Sequence, residues 1–175
     1  MQYIITALKS EAKPIIDYYG LEFSGSSNFP LYKNDNFILL ITGVGRKNVS
    51  NVLNFFFQKN KVAKNHILNI GISGGKKGDC SIGQLFLINE VSDEKSKMSF
   101  NLGSQGFFGL QNNAITTVSK PIVDNNFNCE GLVDMEAYEI CKTVNNLENL
   151  DRLFILKIVS DYMDMKHHIL SLIHI

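Results

Sequence analysis

The chain has 175 residues, enough to enclose a sizeable core in one domain spanning residues 1–175. Seventeen Lys and Arg balance seventeen Asp and Glu, so the formal net charge is zero and no basic excess marks a nucleic-acid partner. Hydrophobic residues make up 45% of the chain, with 12 Phe and no Trp, yet no apolar run approaches the ~20 residues of a membrane-spanning helix.

Tyr3-Ile4-Ile5-Thr6-Ala7 reads as a first short strand. Ser10-Glu11-Ala12-Lys13-Pro14 then opens a helix, with Pro14 tolerated in its first turn and Gly20 as its end. The stretch from Glu22 to Asn36 holds Gly25, Ser26, Ser27 and Pro30 and reads as loop plus a short edge strand. Phe37-Ile38-Leu39-Leu40-Ile41 is a second strand, followed by a tight turn, Thr42-Gly43-Val44-Gly45. The next helix carries Val49, Val52, Leu53 and Phe56 on one face at helical spacing. Ile67 to Ile70 is a third strand, closed by the glycine-rich turn Gly71-Ile72-Ser73-Gly74-Gly75, and Leu85 to Ile88 is a fourth. The polar stretch from Ser92 to Asn113 carries no assigned element, and Ala114 to Val118 is a fifth strand. Val133-Asp134-Met135-Glu136 opens a helix with Ala137, Ile140, Cys141 and Val144 on its apolar face. Leu153 to Val159 is apolar enough for a strand buried on both faces, and Ser160-Asp161 follows it. Strands alternating with helices predict a three-layer α/β/α arrangement around a central mixed, largely parallel twisted sheet.

Three acids fall where chemistry is favoured in such a fold. Glu11 follows the first strand, Glu136 sits in the first turn of a late helix, and Asp161 follows the last strand. Open α/β sheets bind ligands beyond the carboxyl ends of their strands, and the two Gly-rich turns fall on the same rim. Each residue also has an ordinary reading: Ser160 and Asp161 as a helix cap, Glu11 and Glu136 as complements to helix dipoles, the glycines as turn formers. The turns are neither a Walker loop nor Gly-x-Gly-x-x-Gly, since Asn48 stands where the third Gly would be. Cys80, Cys129 and Cys141 are odd in number and lack metal-ligand spacing, so they read as inert free thiols in a reducing compartment. His167 and His168 are adjacent and do not share a helix face, which argues against a metal pair. Glu11 and Lys13 interrupt any leader-like apolar stretch, so a cytoplasmic location is expected.

Five ordered segments carry a resemblance: ITALKSE (Ile5 to Glu11), TGVGRKN (Thr42 to Asn48), NIGISGG (Asn69 to Gly75) with Ile82-Gly83 soon after, VDMEA (Val133 to Ala137) and VSDYMD (Val159 to Asp164). Together they resemble the nucleoside phosphorylase/nucleosidase superfamily, and within it the 5′-methylthioadenosine/S-adenosylhomocysteine nucleosidases. The resemblance implies a nucleoside phosphorylase-like fold and hydrolysis of the N-glycosidic bond of an adenine-type nucleoside. It implies that Glu11 activates the attacking water and that Asp161, placed by Ser160, gives a proton to purine N7. It further implies that Met135 and Glu136 hold the ribose, while Ser73, Gly74 and Ile122 line the substrate pocket. No metal and no cofactor are implied, the partner is a small nucleoside, and a homodimer is expected.

The same resemblance offers alternatives. Phosphorylases of the hexameric type place an Arg and a Ser in the turn after the third strand, where this chain has Asn69 and Ile72. Neither holds phosphate as a guanidinium and a hydroxyl do, so water is the expected nucleophile and a purine- or uridine-type phosphorylase the alternative. The nucleosidases carry a Phe-Ile pair beside the adenine, whereas this chain reads Ser119-Lys120-Pro121-Ile122. Fourteen residues follow Asp161, where relatives carry a long final helix, so a short, divergent or inactive nucleoside-binding homologue is a further alternative. Ile169, Leu170, Leu172 and Ile173 in that tail would then offer an apolar surface to a second copy.

Overall fold

The computed structural model describes residues 1–25, 29–60, 65–103, 109–122 and 130–163. Cys129, His167, His168 and the apolar residues from Ile169 to Ile173 lie outside the described residues. Among the described residues, ten strands form one sheet: β1 (Gln2–Thr6), β2 (Glu22–Phe23), β3 (Leu31–Lys33), β4 (Phe37–Ile41), β5 (Ile67–Gly74), β6 (Leu85–Asp93), β7 (Ser99–Asn101), β8 (Gln111–Thr117), β9 (Leu132–Asp134) and β10 (Leu153–Asp161). Three α-helices among the same residues accompany them: α1 (Lys9–Tyr19), α2 (Arg46–Lys59) and α3 (Ala137–Asn145).

The layers follow from the alternation of side chains along the strands. Tyr3 and Ile5 of β1 and Leu40 of β4 face α2 and α3, packing with Val49, Val52, Leu53, Phe56, Ile140 and Val144. Ile4 of β1 and Leu39 and Ile41 of β4 point the other way, against Ala12, Ile15 and Ile16 of α1. Helices therefore cover both faces, as the alternation of elements predicts.

The sheet is mixed, as expected, but it is not largely parallel, and part of it closes into a ring. The pairs β1–β4, β1–β5, β5–β10, β6–β8 and β8–β9 are parallel. The pairs β2–β3, β3–β4, β5–β9, β6–β7 and β6–β10 are antiparallel. Strands β10, β6, β8, β9 and β5 close into a ring, because β10 pairs with β5 as well as β6. Residues 75–84 connect β5 to β6 without a helix, so β6 runs back antiparallel to β5 and pairs with β10, which lies between them.

Several boundaries also move. Gly71 and Gly74 belong to β5 rather than to a turn after it. They are needed for closeness, not for reversal: a Cβ on Gly71 would stand 3.1 Å from Glu11 Oε1, and one on Gly74 would stand 2.7 Å from Met163 Cγ. Val133 and Asp134 form β9, and α3 starts only at Ala137. Ser160 and Asp161 lie inside β10 rather than capping a helix. Helix α1 starts at Lys9, which puts Pro14 beyond its first turn. Pro14 is exposed, so the carbonyl it leaves without an N–H faces water. Gly20 ends α1 in the left-handed conformation, at φ 61°, as predicted. The stretch 92–113 contains the last residues of β6, then β7 and the start of β8.

Gly131 leads into β9, the strand that completes the ring. It has φ 78°, and a Cβ there would collide with the carbonyl oxygen of Ala114. Gly131→Ala is therefore expected to lower stability by about 1–3 kcal/mol through overpacking against backbone that cannot retreat. Urea unfolding checks this: the midpoint falls while the slope is unchanged, and an unmoved midpoint would mean that β9 is not docked as described.

Candidate active site

The carboxyl ends of β1, β4, β5 and β10 meet the β9–α3 junction around a cavity of about 210 Å³. Glu11, Ser73, Gly74, Ile122, Met135, Glu136, Ser160 and Asp161 all line it. The residues singled out from sequence thus lie around one space, although four elements and one loop deliver them.

Glu11 sits in the first turn of α1 and is buried. Its Oε2 accepts the N–H groups of Ala7 and Leu8, each at 2.8 Å, and its Oε1 accepts that of Ile72 at 3.1 Å. The carboxylate fits because Gly71 presents no side chain. It is therefore held between the end of β1 and the middle of β5 by three backbone donors.

Glu136 occupies the N-cap position of α3, just outside the helix rather than in its first turn. Its Oε1 accepts the N–H of Gly45 at 2.7 Å, which ties α3 to the turn between β4 and α2. Gly45 adopts φ 91°, a value that favours glycine. Burial pushes the Glu136 carboxyl up to about 7, with the Asp134 and Glu11 carboxylates adding to the rise and Lys157 and the Gly45 N–H opposing it.

Asp161 is delivered by an irregularity in β10. Val159 pairs with Ser73, but Asp161 pairs with Gly74, so Ser160 is an extra residue in the ladder. Such a bulge re-aims the side chains that follow it. Asp161 Oδ1 accepts the N–H of Met163 at 2.8 Å. Its Oδ2 lies 2.8 Å from Ser160 Oγ, which is also 3.2 Å from the carbonyl oxygen of Ser73. The single hydroxyl proton serves one acceptor or the other.

Two residues that the sequence reading passed over organise this site. Lys157 lies within the apolar run of β10 and is 2% exposed. Its Nζ is 2.8 Å from Asp134 Oδ2, in an ion pair that is almost wholly buried. Asp134 also accepts the Thr117 hydroxyl at 2.7 Å and the Ala137 N–H at 2.9 Å. Burial alone would lower the Lys157 pKa, but the carboxylates of Asp134, Glu136 and Glu11 outweigh it and hold the ammonium above its ordinary value. The signal was present in the sequence: a Lys in a strand buried on both faces requires a buried acid.

No Arg or Lys lines the cavity among the described residues, whereas Glu11, Asp134, Glu136 and Asp161 all do. Asn69 and Ile72 do not supply the missing cation. Asn69 Nδ2 donates to the carbonyl oxygen of Ile5 at 3.0 Å, and Ile72 brings an apolar side chain. No group of three or more His, Cys, Asp or Glu suited to a metal ion occurs among the described residues. Cys80 and Cys141 are free, and burial pushes both thiols up. No helix among the described residues is long and apolar enough to cross a membrane.

A mixed sheet with a closed ring, flanked by helices, is a fold shared with solved nucleosidases, whose structures superimpose on this chain. A 5′-methylthioadenosine/S-adenosylhomocysteine nucleosidase from Neisseria meningitidis, in complex with methylthio-immucillin-A, gives a TM-score of 0.80 at 17% identity over 95% of this chain and 88% of that one. A nucleosidase of the same name from Chlamydia trachomatis, bound to MTA, gives 0.77 at 19% identity over 95% and 84%. A futalosine hydrolase mutant of Helicobacter pylori gives 0.78 at 13% identity over 95% and 89%. At these identities the likeness is one of fold. The sequence matches no protein-family model and no curated protein.

Two outcomes follow from the buried charges. Lys157→Met leaves Asp134 and Glu136 buried without their counter-charge, and should cost about 3–5 kcal/mol. Adding Asp134→Asn should restore part of that loss, because the Asn keeps a polar group near Thr117 and Ala137; a double variant no better than the single would dismiss the pairing.

Glu136 makes stability depend on pH. Its folded pKa of about 7 lies above the ordinary 4.5, so the folded state binds the proton more tightly than the unfolded state does. The contribution is full below about 4.5 and is lost as pH rises through about 7. Denaturation between these limits should show stability falling by up to about 1.4 kcal/mol per pH unit. Glu136→Gln should flatten that slope, and an unchanged slope would assign it to another group.

Proposed function

We propose that this chain is an N-glycosyl hydrolase that releases the base from an adenine-type nucleoside. The observation that carries the reading is the convergence of Glu11, Glu136 and Asp161 on one cavity that no Arg or Lys lines. Breaking a ribosyl C–N bond builds positive charge on the sugar and negative charge on the departing base. A cavity rich in carboxylates suits the first, and an acid beside the base answers the second.

In this reading the purine lies between Ile122 and the Ser160-Asp161 end, and the ribose lies over Met135. The Glu136 carboxylate accepts a sugar hydroxyl. Glu11 orients a water below C1′ and takes its proton as the oxygen attacks. The C1′–N9 bond breaks, its electron pair passes into the purine, and Asp161 supplies a proton to N7. Adenine and the free sugar are the products. Ser160 steadies the Asp161 carboxyl through its hydroxyl, 2.8 Å away. Asp161 must enter the step protonated, and phosphate is disfavoured as the nucleophile because a dianion would face the remaining acids, Glu11, Asp134 and Glu136, with no lining cation. The neighbouring structures include nucleosidases for methylthioadenosine and S-adenosylhomocysteine, and these two adenine nucleosides are the candidate substrates; the futalosine hydrolase among the neighbours makes a nucleoside of another purine the alternative.

Adenine release from methylthioadenosine, with and without phosphate, tests the reading. Free methylthioribose is the expected product in both cases; 5-methylthioribose 1-phosphate would make the chain a phosphorylase, and binding without release would make it a nucleoside-binding protein. Asp161→Asn should lower turnover about 10²–10⁴-fold with binding largely kept, because the amide cannot transfer a proton. Near wild-type turnover in that variant would remove Asp161 from the acid role.

A further inference from the structure

Met163 lines the cavity, yet its backbone stands at φ 57°. A bulky side chain rarely occupies that left-handed region. Among the described residues other than glycine, Lys97 and Glu148 share it, but both are exposed and neither lines the cavity. Met163 is 4% exposed. Strain of this kind persists where the surroundings over-determine it, and it clusters where ligands are held.

The surroundings of Met163 are specific. Its N–H donates to Asp161 Oδ1 at 2.8 Å. Its side chain lies on the end of β5, in the space that Gly74 leaves. A Cβ on Gly74 would stand 2.7 Å from Met163 Cγ, 3.7 Å from its Sδ and 3.3 Å from Asp161 Oδ1. The thioether and the carboxyl therefore share the face of one glycine. Val118 and Val133 form an apolar cluster with Met163, and Ile122 and Met135 pack against it. The left-handed backbone thus turns a flexible side chain back over the strand end, beside the acid and into the cavity wall.

We infer that Met163 is a specificity-determining residue, whose thioether closes the cavity along the N7 side of the base and limits the size of purine admitted there. The inference rests on the nucleosidase reading for its orientation, in which Asp161 gives its proton to N7. A side chain sharing the Gly74 face with Asp161 lies against the atoms that flank N7, namely C8 on one side and the substituent at C6 on the other. The C2 edge is across the ring from it. A thioether packs on a flat ring without requiring a hydrogen bond. Met163 therefore selects by size, and it treats a 6-amino and a 6-oxo purine alike.

The test uses the full chain with methylthioadenosine and its N6-methyl, 8-methyl and 2-methyl derivatives, and base release gives kcat and KM separately. The wild-type chain should disfavour a methyl at N6 or C8 by about 10-fold or more, the usual effect of one extra methylene in a closed pocket. Met163→Ala should recover about 10-fold of that loss relative to methylthioadenosine, with no such gain for the 2-methyl compound. Its KM for methylthioadenosine should rise roughly 3- to 10-fold with kcat nearly kept, because ring packing is lost and the acid remains. Met163→Leu keeps the bulk and should keep the wild-type order. A purely structural role would lower all four compounds by one common factor. That result, a gain confined to the 2-methyl compound, equal use of all four by the wild-type chain, or Met163→Leu behaving as Met163→Ala would each overturn the inference and leave the nucleosidase reading intact. Failure of the wild-type chain to release base from any of the four would overturn both.

Discussion

The charge on Lys157 is the constraint around which the site is arranged. An ammonium taken out of water costs several kcal/mol unless a counter-charge and hydrogen bonds accompany it. Asp134 meets that demand at 2.8 Å. The same carboxylate accepts the Ala137 N–H at the start of α3 and the Thr117 hydroxyl at the end of β8. It thereby fixes where the helix begins, and the helix start places Glu136. Glu136 in turn takes the Gly45 N–H, which fixes the turn before α2. One buried cation in β10 thus reaches, through three acceptor bonds, to the far wall of the cavity.

This network also separates the roles of four acids that sit close together. Glu11 is held by three backbone donors and Asp134 by a cation, a hydroxyl and an N–H. Glu136 has one backbone donor and stands next to Asp134, so its charge is the least supported of the buried acids.

Much of this was legible in the sequence. The order of strands and helices followed from apolar periodicity, and the apolar faces of α2 and α3 were read correctly because Val49, Leu53, Ile140 and Val144 recur at helical spacing. The convergence of Glu11, Glu136 and Asp161 on one cavity was legible because each stands at or beside a strand end. The ring closure was not legible. It depends on β10 pairing on both sides and on β9, which is three residues long, and neither leaves a periodic trace. The glycines at 71 and 74 were misread as turn formers because sequence alone does not distinguish a glycine that bends from one that makes room. Lys157 was overlooked because the residues around it are so apolar, which is the very reason that its charge matters.

The ring divides the cavity into two ends of unlike stiffness. Ser73 and Gly74 lie on β5, Asp134 on β9, and Ser160 and Asp161 on β10, all members of the closed set. No one of these strands can slide without carrying its neighbours, since each is bonded on both sides. Val44 stands outside that set, on the turn after β4. The wall formed by Ser73, Asp134 and Asp161 is thus built into a hoop, while Val44 belongs to a segment held from outside it by the bond between the Gly45 N–H and Glu136. A substitution at Val44 can therefore be absorbed by the turn that carries it, whereas one at Ser73, Asp134 or Asp161 must be absorbed by the ring as a whole.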